Sequence, residues 1–239
     1  MGYILLMFHI IQDPNIKITP NSTDEDGNFD PAKSIEEYFR EKILSKPKDC
    51  WDKSEQETSQ TTCRVYGKEQ VDLTKRNSLT YAFTYNILSL PVDDYCKEKD
   101  IFAPSYSYSE THLGFNFTYY LTSFELLRYE PGGFFLKHKD KLIKPRNNYY
   151  AHTHMCLLYP PDSINKYEGG DIIFYDTESN GIHVVEPSKF TTWTFIIFPQ
   201  QTLHEVTPVT KGTRWVFKAP LFEVNKNRTC SDCDDELSS

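Results

Sequence analysis

The chain lacks a long hydrophobic run. Its most apolar opening stretch, residues 1–11, is too short to span a bilayer, which takes about 20 apolar residues, and it carries no cationic segment of the secretory kind. It reads as a buried strand or docking segment, and the chain as cytoplasmic. The three N-x-S/T sequons at Asn21, Asn116 and Asn227 matter only if the chain is secreted. Basic charge is also short: 26 Lys and Arg stand against 34 Asp and Glu, a net charge of −8. That argues against a general nucleic-acid binder, which needs a basic face, while leaving a local basic patch open. A disulfide framework is missing too. Cys50, Cys63, Cys96, Cys156, Cys230 and Cys233 are scattered, and 239 residues can build a core without cross-links. Cys230 and Cys233 form a lone C-x-x-C in an acidic tail, and without a second pair they read as tail thiols rather than a zinc site. Repeats, coiled-coil heptads and a second domain of comparable size are absent.

Aromatic residues are plentiful. Tyr and Phe number 16 each, and such residues suit pleated, half-buried surfaces. The chain is therefore expected to be mainly β with flanking helices. Residues 12–30 are polar and turn-rich and read as a loop. Asp30-Pro31 reads as a helix start, with Ile35, Tyr38, Phe39 and Ile43 on one face and Pro47 as its stop. Residues 46–64 read as a charged loop. From Leu79 to Ile87 apolar and polar residues alternate, which predicts one strand. A short helix follows from Pro91 to Asp100, and then an aromatic loop over 102–114 containing Tyr106 and Tyr108. Beyond Phe115, short strands are expected near 115–130, 134–140, 151–159, 171–176, 182–186, 191–198, 203–207 and 213–222, with Gly, Pro and Asn turns between them. Such a series indicates a sandwich or barrel. Three parts follow: an N-terminal extension over 1–114 packing on the core, the core over 115–222, and an acidic tail over 223–239.

Within the core, His138 and Asp140 form a His-x-Asp pair. On a strand, residues i and i+2 face the same way, so an imidazole and a carboxylate can meet one metal ion. A surface strand with two polar residues explains the pair equally well on its own. His204 is the candidate third ligand. Two His and one carboxylate on one side of an ion form the facial triad of non-haem Fe(II) oxygenases, which keeps positions open for substrate and O2. Arg214 follows the Lys211-Gly212 turn. A turn there would fold its strand back beside that of His204. Its planar fork could then take the far carboxylate of a dicarboxylic 2-oxo acid chelated to the metal.

Taken together, Tyr129-Glu-Pro-Gly-Gly-Phe-Phe-Leu-Lys-His-Lys-Asp140, Glu168-Gly-Gly-Asp-Ile-Ile-Phe174 and His204-Glu-Val-x-Pro-Val-x-x-Gly-x-Arg214 resemble the 2-oxoglutarate- and Fe(II)-dependent dioxygenases, most of all the prolyl 4-hydroxylase type. The resemblance covers residues 115–222 and leaves the N-terminal third without a motif. It implies a double-stranded β-helix (jelly-roll) core and Fe(II) held by His138, Asp140 and His204. It implies Arg214 as anchor of the 2-oxoglutarate C5 carboxylate, where collagen-type members commonly have Lys. Tyr129 matches a tyrosine lining the cosubstrate pocket. Tyr159 matches a second, hydrogen-bonded to that carboxylate, in a match that depends on strand register. Leu157, Ile196, Val206 and Val216 would be the apolar walls. O2 is the implied cosubstrate, with ascorbate as a further candidate. Asp140 favours hydroxylation over halogenation, because halogenating relatives typically lack the carboxylate.

His152 and His154 are a rival pair without the glutamate that a cupin site expects, and they read as structural. Lys137 and Lys139 should face away from the metal. The loop from Lys141 to Tyr150 would rim the mouth, and Lys218, on the face of Arg214, would point toward the substrate end. The expected reaction is hydroxylation of a protein or peptide residue, proline first, with succinate and CO2 as coproducts. An extended groove lined by Tyr106, Tyr108 and Tyr149 would support a peptide substrate, and a deep closed pocket a small molecule. A nucleic-acid or small-molecule substrate, or a silent binding module, are the alternatives. The oligomeric state is not legible.

Overall fold

The computed structural model describes residues 8–20, 33–34, 36, 39–44, 76–83, 85–105, 116–118, 124–140, 150–176 and 178–224. The N-terminal strands are β1 (His9–Gln12), β2 (Lys17–Pro20), β3 (Lys33–Ser34), β4 (Arg76–Asn77), β5 (Leu79–Phe83) and β6 (Tyr85–Leu88). The helix α1 (Leu90–Lys99) is followed by β7 (Ile101–Ser105) and β8 (Asn116–Thr118). Next come β9 (Phe124–Tyr129), β10 (Phe134–His138), β11 (Tyr150–Tyr159), β12 (Tyr167–Gly169) and β13 (Ile172–Tyr175). The series ends with β14 (Ile182–Val185), β15 (Thr194–Pro199), β16 (Leu203–Val206), β17 (Val209–Gly212) and β18 (Arg214–Val224).

Two antiparallel sheets carry the core. The large one runs β1-β15-β11-β18-β7-β8, with β9 also on β18 and β5 on β9. The small one runs β14-β13-β16-β10-β4. From β9 onward the chain alternates between them: β9, β11, β15 and β18 lie in the large sheet, and β10, β13–β14 and β16 in the small one. That alternation is the double-stranded β-helix, or jelly roll, expected from the motifs.

β15 is buried on both faces, which explains why it reads Thr-Phe-Ile-Ile-Phe-Pro with no polar alternation. Ile196 and Phe198 join Leu157, Tyr159, Phe174, Val206 and Val216 in one apolar cluster, which takes in residues of both sheets. Phe195 and Ile197 join Leu158, Phe217 and Trp215 in the other. The N-terminal third supplies the cover there through Ile16, Phe39, Ile87, Val92 and Cys96. Phe39 is fully buried and meets Trp193, Trp215 and Phe217 edge-on, at ring-centroid distances of 5.9–6.2 Å. α1 is capped by Ser89, whose hydroxyl accepts from Val92 N and donates to Asp13 at 2.7 Å.

Most of the later strands lie near their expected places, but the strand expected over 115–130 is two, β8 on β7 and β9 on β18, and β12 and β17 add to the expected series; of the opening segment, the described part forms β1 on β15. Several N-terminal expectations need correction. Residues 17–20, read as loop, form β2 and pair with β6. Residues 33–34, read as the start of a helix, pair instead with β2; among the described residues a π-helical stretch lies at Phe39–Leu44. Cap and proline signals are local, and a ladder partner overrides them. The single strand over Leu79–Ile87 is two, β5 on β9 and β6 on β2. A period-2 pattern encodes which face is buried and says nothing of a change of partner. Residues 101–105, partly read as loop, form β7. Asp30, Pro31, residues 46–64, Tyr106, Tyr108, residues 141–149, Cys230 and Cys233 lie outside the described residues.

Candidate metal and 2-oxo-acid site

Three short elements bring the site together. A turn at Pro131-Gly132-Gly133, with Gly132 at φ +84°, carries the chain from β9 in the large sheet to β10 in the small one. β9 thus delivers Tyr129 and β10 delivers His138. β16 lies beside β10, with His204 directly opposite His138 and their rings 4.3 Å apart. Asp140 stands beyond the end of β10, so the site does not rest on the continuous strand that the spacing suggested.

His138 Nδ1 lies 2.8 Å from the Leu136 carbonyl, and His204 Nδ1 lies 2.9 Å from that of Thr202. A carbonyl can only accept, so each Nδ1 carries the proton and each Nε2 presents a lone pair. Asp140 lies between them. His138 Nε2 is 3.9 Å from Oδ1, and His204 Nε2 is 3.8 Å from Oδ2. One ligand atom from each of the three residues lies within 4.8 Å of the others. Burial pushes the pKa of His138 down to about 3, helped by neighbouring His204, and burial likewise lowers that of His204. Burial opposes ionisation of Asp140, but Lys218 and the two imidazoles outweigh it and hold the carboxyl at about 2. At neutral pH the trio is therefore two neutral imidazoles and a carboxylate, the protonation states that a divalent ion requires. Outer partners are already in place, since metal-binding histidines almost always donate their second nitrogen to a carbonyl or carboxylate.

Arg214, 1% exposed, forms the other end. Its Nη2 donates to Tyr159 Oη at 2.5 Å, and its guanidinium carbon sits 4.6 Å from the centre of the Tyr129 ring. Its Nε and Nη1 are buried and have no hydrogen-bond partner, and neither has Tyr167 Oη. A buried guanidinium cannot lose its proton and is costly without an anion, so this arrangement calls for a carboxylate. Gly170 makes room for it: a Cβ there would lie 2.8 Å from Arg214 Cδ and 3.0 Å from Val209 Cγ2. The cleft encloses about 380 Å³, solvent included, and Arg214, Tyr129, His138, Asp140, His204 and Lys218 line it together with Leu127, Leu157, Ile172, Val206 and Val216.

Every residue singled out from the sequence for metal or 2-oxo-acid binding is gathered here. Tyr129 lines the cleft, while Tyr159 acts on it through Arg214. The register puts Tyr159 in the inter-sheet cluster and Leu158 behind the large sheet. Of the expected walls, Leu157, Val206 and Val216 line the cleft, and Ile196 lies in the cluster behind them. One expectation fails. β18 does not fold back beside β16, because β17 intervenes and pairs with β12, so His204 and Arg214 face each other from opposite sheets. Lys137 points outward and stacks its ammonium 3.4 Å from the Tyr175 ring. The register slips between His152 and His154, and His154 Nδ1 lies 2.9 Å from Thr153 Oγ1. Three contacts escaped the sequence reading: Gln200 on the Asp140 backbone, Lys218 on the Asp140 side chain, and Tyr167 beside the anchor. Only the shared face of Lys218 and Arg214 hinted at any of them.

Comparison with known proteins points the same way as the motifs. Residues 124–219 match the sequence model of the 2OG-Fe(II) oxygenase superfamily. The resemblance read from the motifs holds. A PKHD-type hydroxylase of Shewanella oneidensis is 30% identical over 87 residues, covering 36% of this chain and 37% of that protein. A PKHD-type hydroxylase of Paracoccus denitrificans is 34% identical over 93 residues, covering 37% of each. The chain thus matches little more than a third of the length of these relatives. Among solved structures, a Pseudomonas putida prolyl-4-hydroxylase is 15% identical and gives a TM-score of 0.38, covering 64% of this chain and 75% of that one. Among the described residues, no helix is long and apolar enough to cross a membrane.

Proposed function

We propose that the chain is an Fe(II)- and 2-oxoglutarate-dependent dioxygenase that hydroxylates a residue of a protein or peptide, with proline the first candidate. The observation that carries the reading is the buried Arg214, with two unpartnered nitrogens, in the same cleft as two lone-pair-bearing imidazoles and an ionised carboxylate. The donor set suits Fe(II), and a guanidinium with an open edge lining the same cleft suits the far carboxylate of a dicarboxylic 2-oxo acid. When bound, the iron with 2-oxoglutarate and O2 supplies the oxidising power for hydroxylation, while the 2-oxo acid is converted to succinate and CO2.

The chain's own part is binding, orientation and exclusion of water. His138, Asp140 and His204 hold one side of the ion. Arg214 offers its open edge to the far carboxylate, and Tyr159 fixes the rotation of the guanidinium by accepting from Nη2. Burial pushes the Tyr159 phenol up, so it stays neutral beside the arginine. Leu127, Leu157 and Val216 keep the chamber apolar. The name of the curated relatives supports hydroxylation, and the motif order supports a prolyl 4-hydroxylase-like substrate.

The deciding experiment is 2-oxoglutarate turnover with Fe(II), measured as succinate, in the presence of proline-containing peptides, nucleic acids or free amino acids. Stimulation by the peptides supports the reading. Stimulation by one of the other classes alone replaces the substrate, and a protein that neither binds a divalent metal nor consumes 2-oxoglutarate overturns it.

A further inference from the structure

Asp140 lies past the last ladder residue of β10, so its position depends on side chains reaching in from elsewhere. Two do so. Gln200, 1% exposed in the turn between β15 and β16, donates Nε2 to the Asp140 carbonyl at 2.8 Å. Lys218 reaches across from the large sheet and places Nζ 3.3 Å from Asp140 Oδ1. It is on β18 at an even offset from Arg214, so both side chains leave the strand toward the cleft, and both line it. The first fixes the backbone of the ligand and the second acts on its side chain.

The two carboxylate oxygens are therefore unequal. Oδ1 accepts from the ammonium, and Oδ2 lies toward His204 with no such partner. A carboxylate that bound an ion through both oxygens would take up a coordination position that a 2-oxo acid or O2 needs. We propose that Lys218 is a positioning residue for the metal: by holding Oδ1 it makes Asp140 present Oδ2 alone, and so keeps the open face of the site open. The inference rests on the metal-site reading above. Lysine suits the role because its compact ammonium has three rotatable donors and can follow one oxygen without demanding the second.

The test uses metal-free full-length protein and Co(II) as probe, with affinity read by calorimetry and coordination by visible absorption, neither of which needs turnover. Lys218→Met should weaken Co(II) binding about tenfold or more, the usual cost of losing an outer partner of a metal ligand. It should also change the intensity of the cobalt band, which depends on coordination number. Lys218→Arg, which keeps the charge but brings a planar fork able to engage both oxygens, should restore only part of the affinity and should not restore the wild-type band. Unchanged or tighter binding by Lys218→Met, with an unchanged band, would mean that the ammonium merely occupies the place of the ion, and would overturn the inference. Should Lys218→Met fail to fold, Lys218→Gln takes its place: weaker binding with a changed band supports the inference, and unchanged binding with an unchanged band overturns it. His138→Ala should abolish binding whatever stands at 218. If the wild type itself binds no Co(II), the metal-site reading fails and this inference with it.

Discussion

The Nδ1 protons of His138 and His204 are held by the carbonyls of Leu136 and Thr202, so both rings are aimed before any ion arrives. Neither ring can be replaced by a side chain that lacks a second nitrogen in the same place. His138→Ala and His204→Ala should each abolish metal-dependent succinate formation; wild-type turnover in either would end the ligand assignment. Arg214 is the more graded case. Arg214→Ala removes one partner of a fully desolvated charge pair, a loss of about 2–5 kcal/mol, so the 2-oxoglutarate KM should rise about thirtyfold or more. Tyr159→Phe removes one hydrogen bond to that arginine, about 0.5–1.5 kcal/mol, and should raise the same KM several-fold. A KM titration across the three proteins checks the order, and an unmoved value for Arg214→Ala would assign the anchor elsewhere.

At the scale of elements, the glycine turns separate geometry from chemistry. Gly132 and Gly170 both sit at positive φ, +84° and +66°, but a Cβ on Gly132 would meet nothing within 4 Å while one on Gly170 would strike Arg214. Alanine at either should cost about 1–2 kcal/mol through the left-handed backbone. Only Gly170→Ala should also raise the 2-oxoglutarate KM. Urea unfolding and a KM titration together distinguish the two, and equal KM values would show that Arg214 yields to the added methyl. The same contrast explains what could be read from the residues. The strands from β9 onward carry period-2 or fully apolar patterns bounded by turns, and these patterns encode burial directly. The motif spacing singled out His138, His204 and Arg214, which share one cleft. What could not be read was partnership. Nothing in Lys-Ile-Thr-Pro announces a ladder with β6, nothing in Leu79–Ile87 marks the hand-over between sheets, and the short β17 hides between two residues assumed to be on neighbouring strands. Gln200 and Lys218 meet Asp140 across 60 and 78 residues of sequence, where no local pattern reaches.

For the whole molecule, proton uptake sets the limits of the metal-free fold. Burial lowers the pKa of His138, His204, His154 and His9 below 6.5 in the folded chain. Below that pH the unfolded chain binds more protons, so stability must fall as pH falls. The loss opens at about 6.5 and for His138 runs to about 3, while Asp140 adds its own between 3.8 and about 2. Urea midpoints without metal should therefore drop from pH 7 to pH 5; a flat profile would contradict the burial of these rings. Above this range the fold answers to β18. The strand sends Arg214, Val216 and Lys218 to the cleft and Phe217 and Ala219 to the packing behind it, where Phe39 of the N-terminal third closes the layer. A strand clamped on both faces cannot stretch. Its rise of about 3.3 Å per residue separates the two cations by roughly 13 Å along the backbone. On the proposed assignment of Arg214 and the metal ligands, β18 would be a ruler, graduated in residues, for a diacid held between the arginine and the metal. A 2-oxo diacid one methylene longer should support turnover about 10–200-fold less well, and equal use of 2-oxoadipate and 2-oxoglutarate would show that the ruler bends.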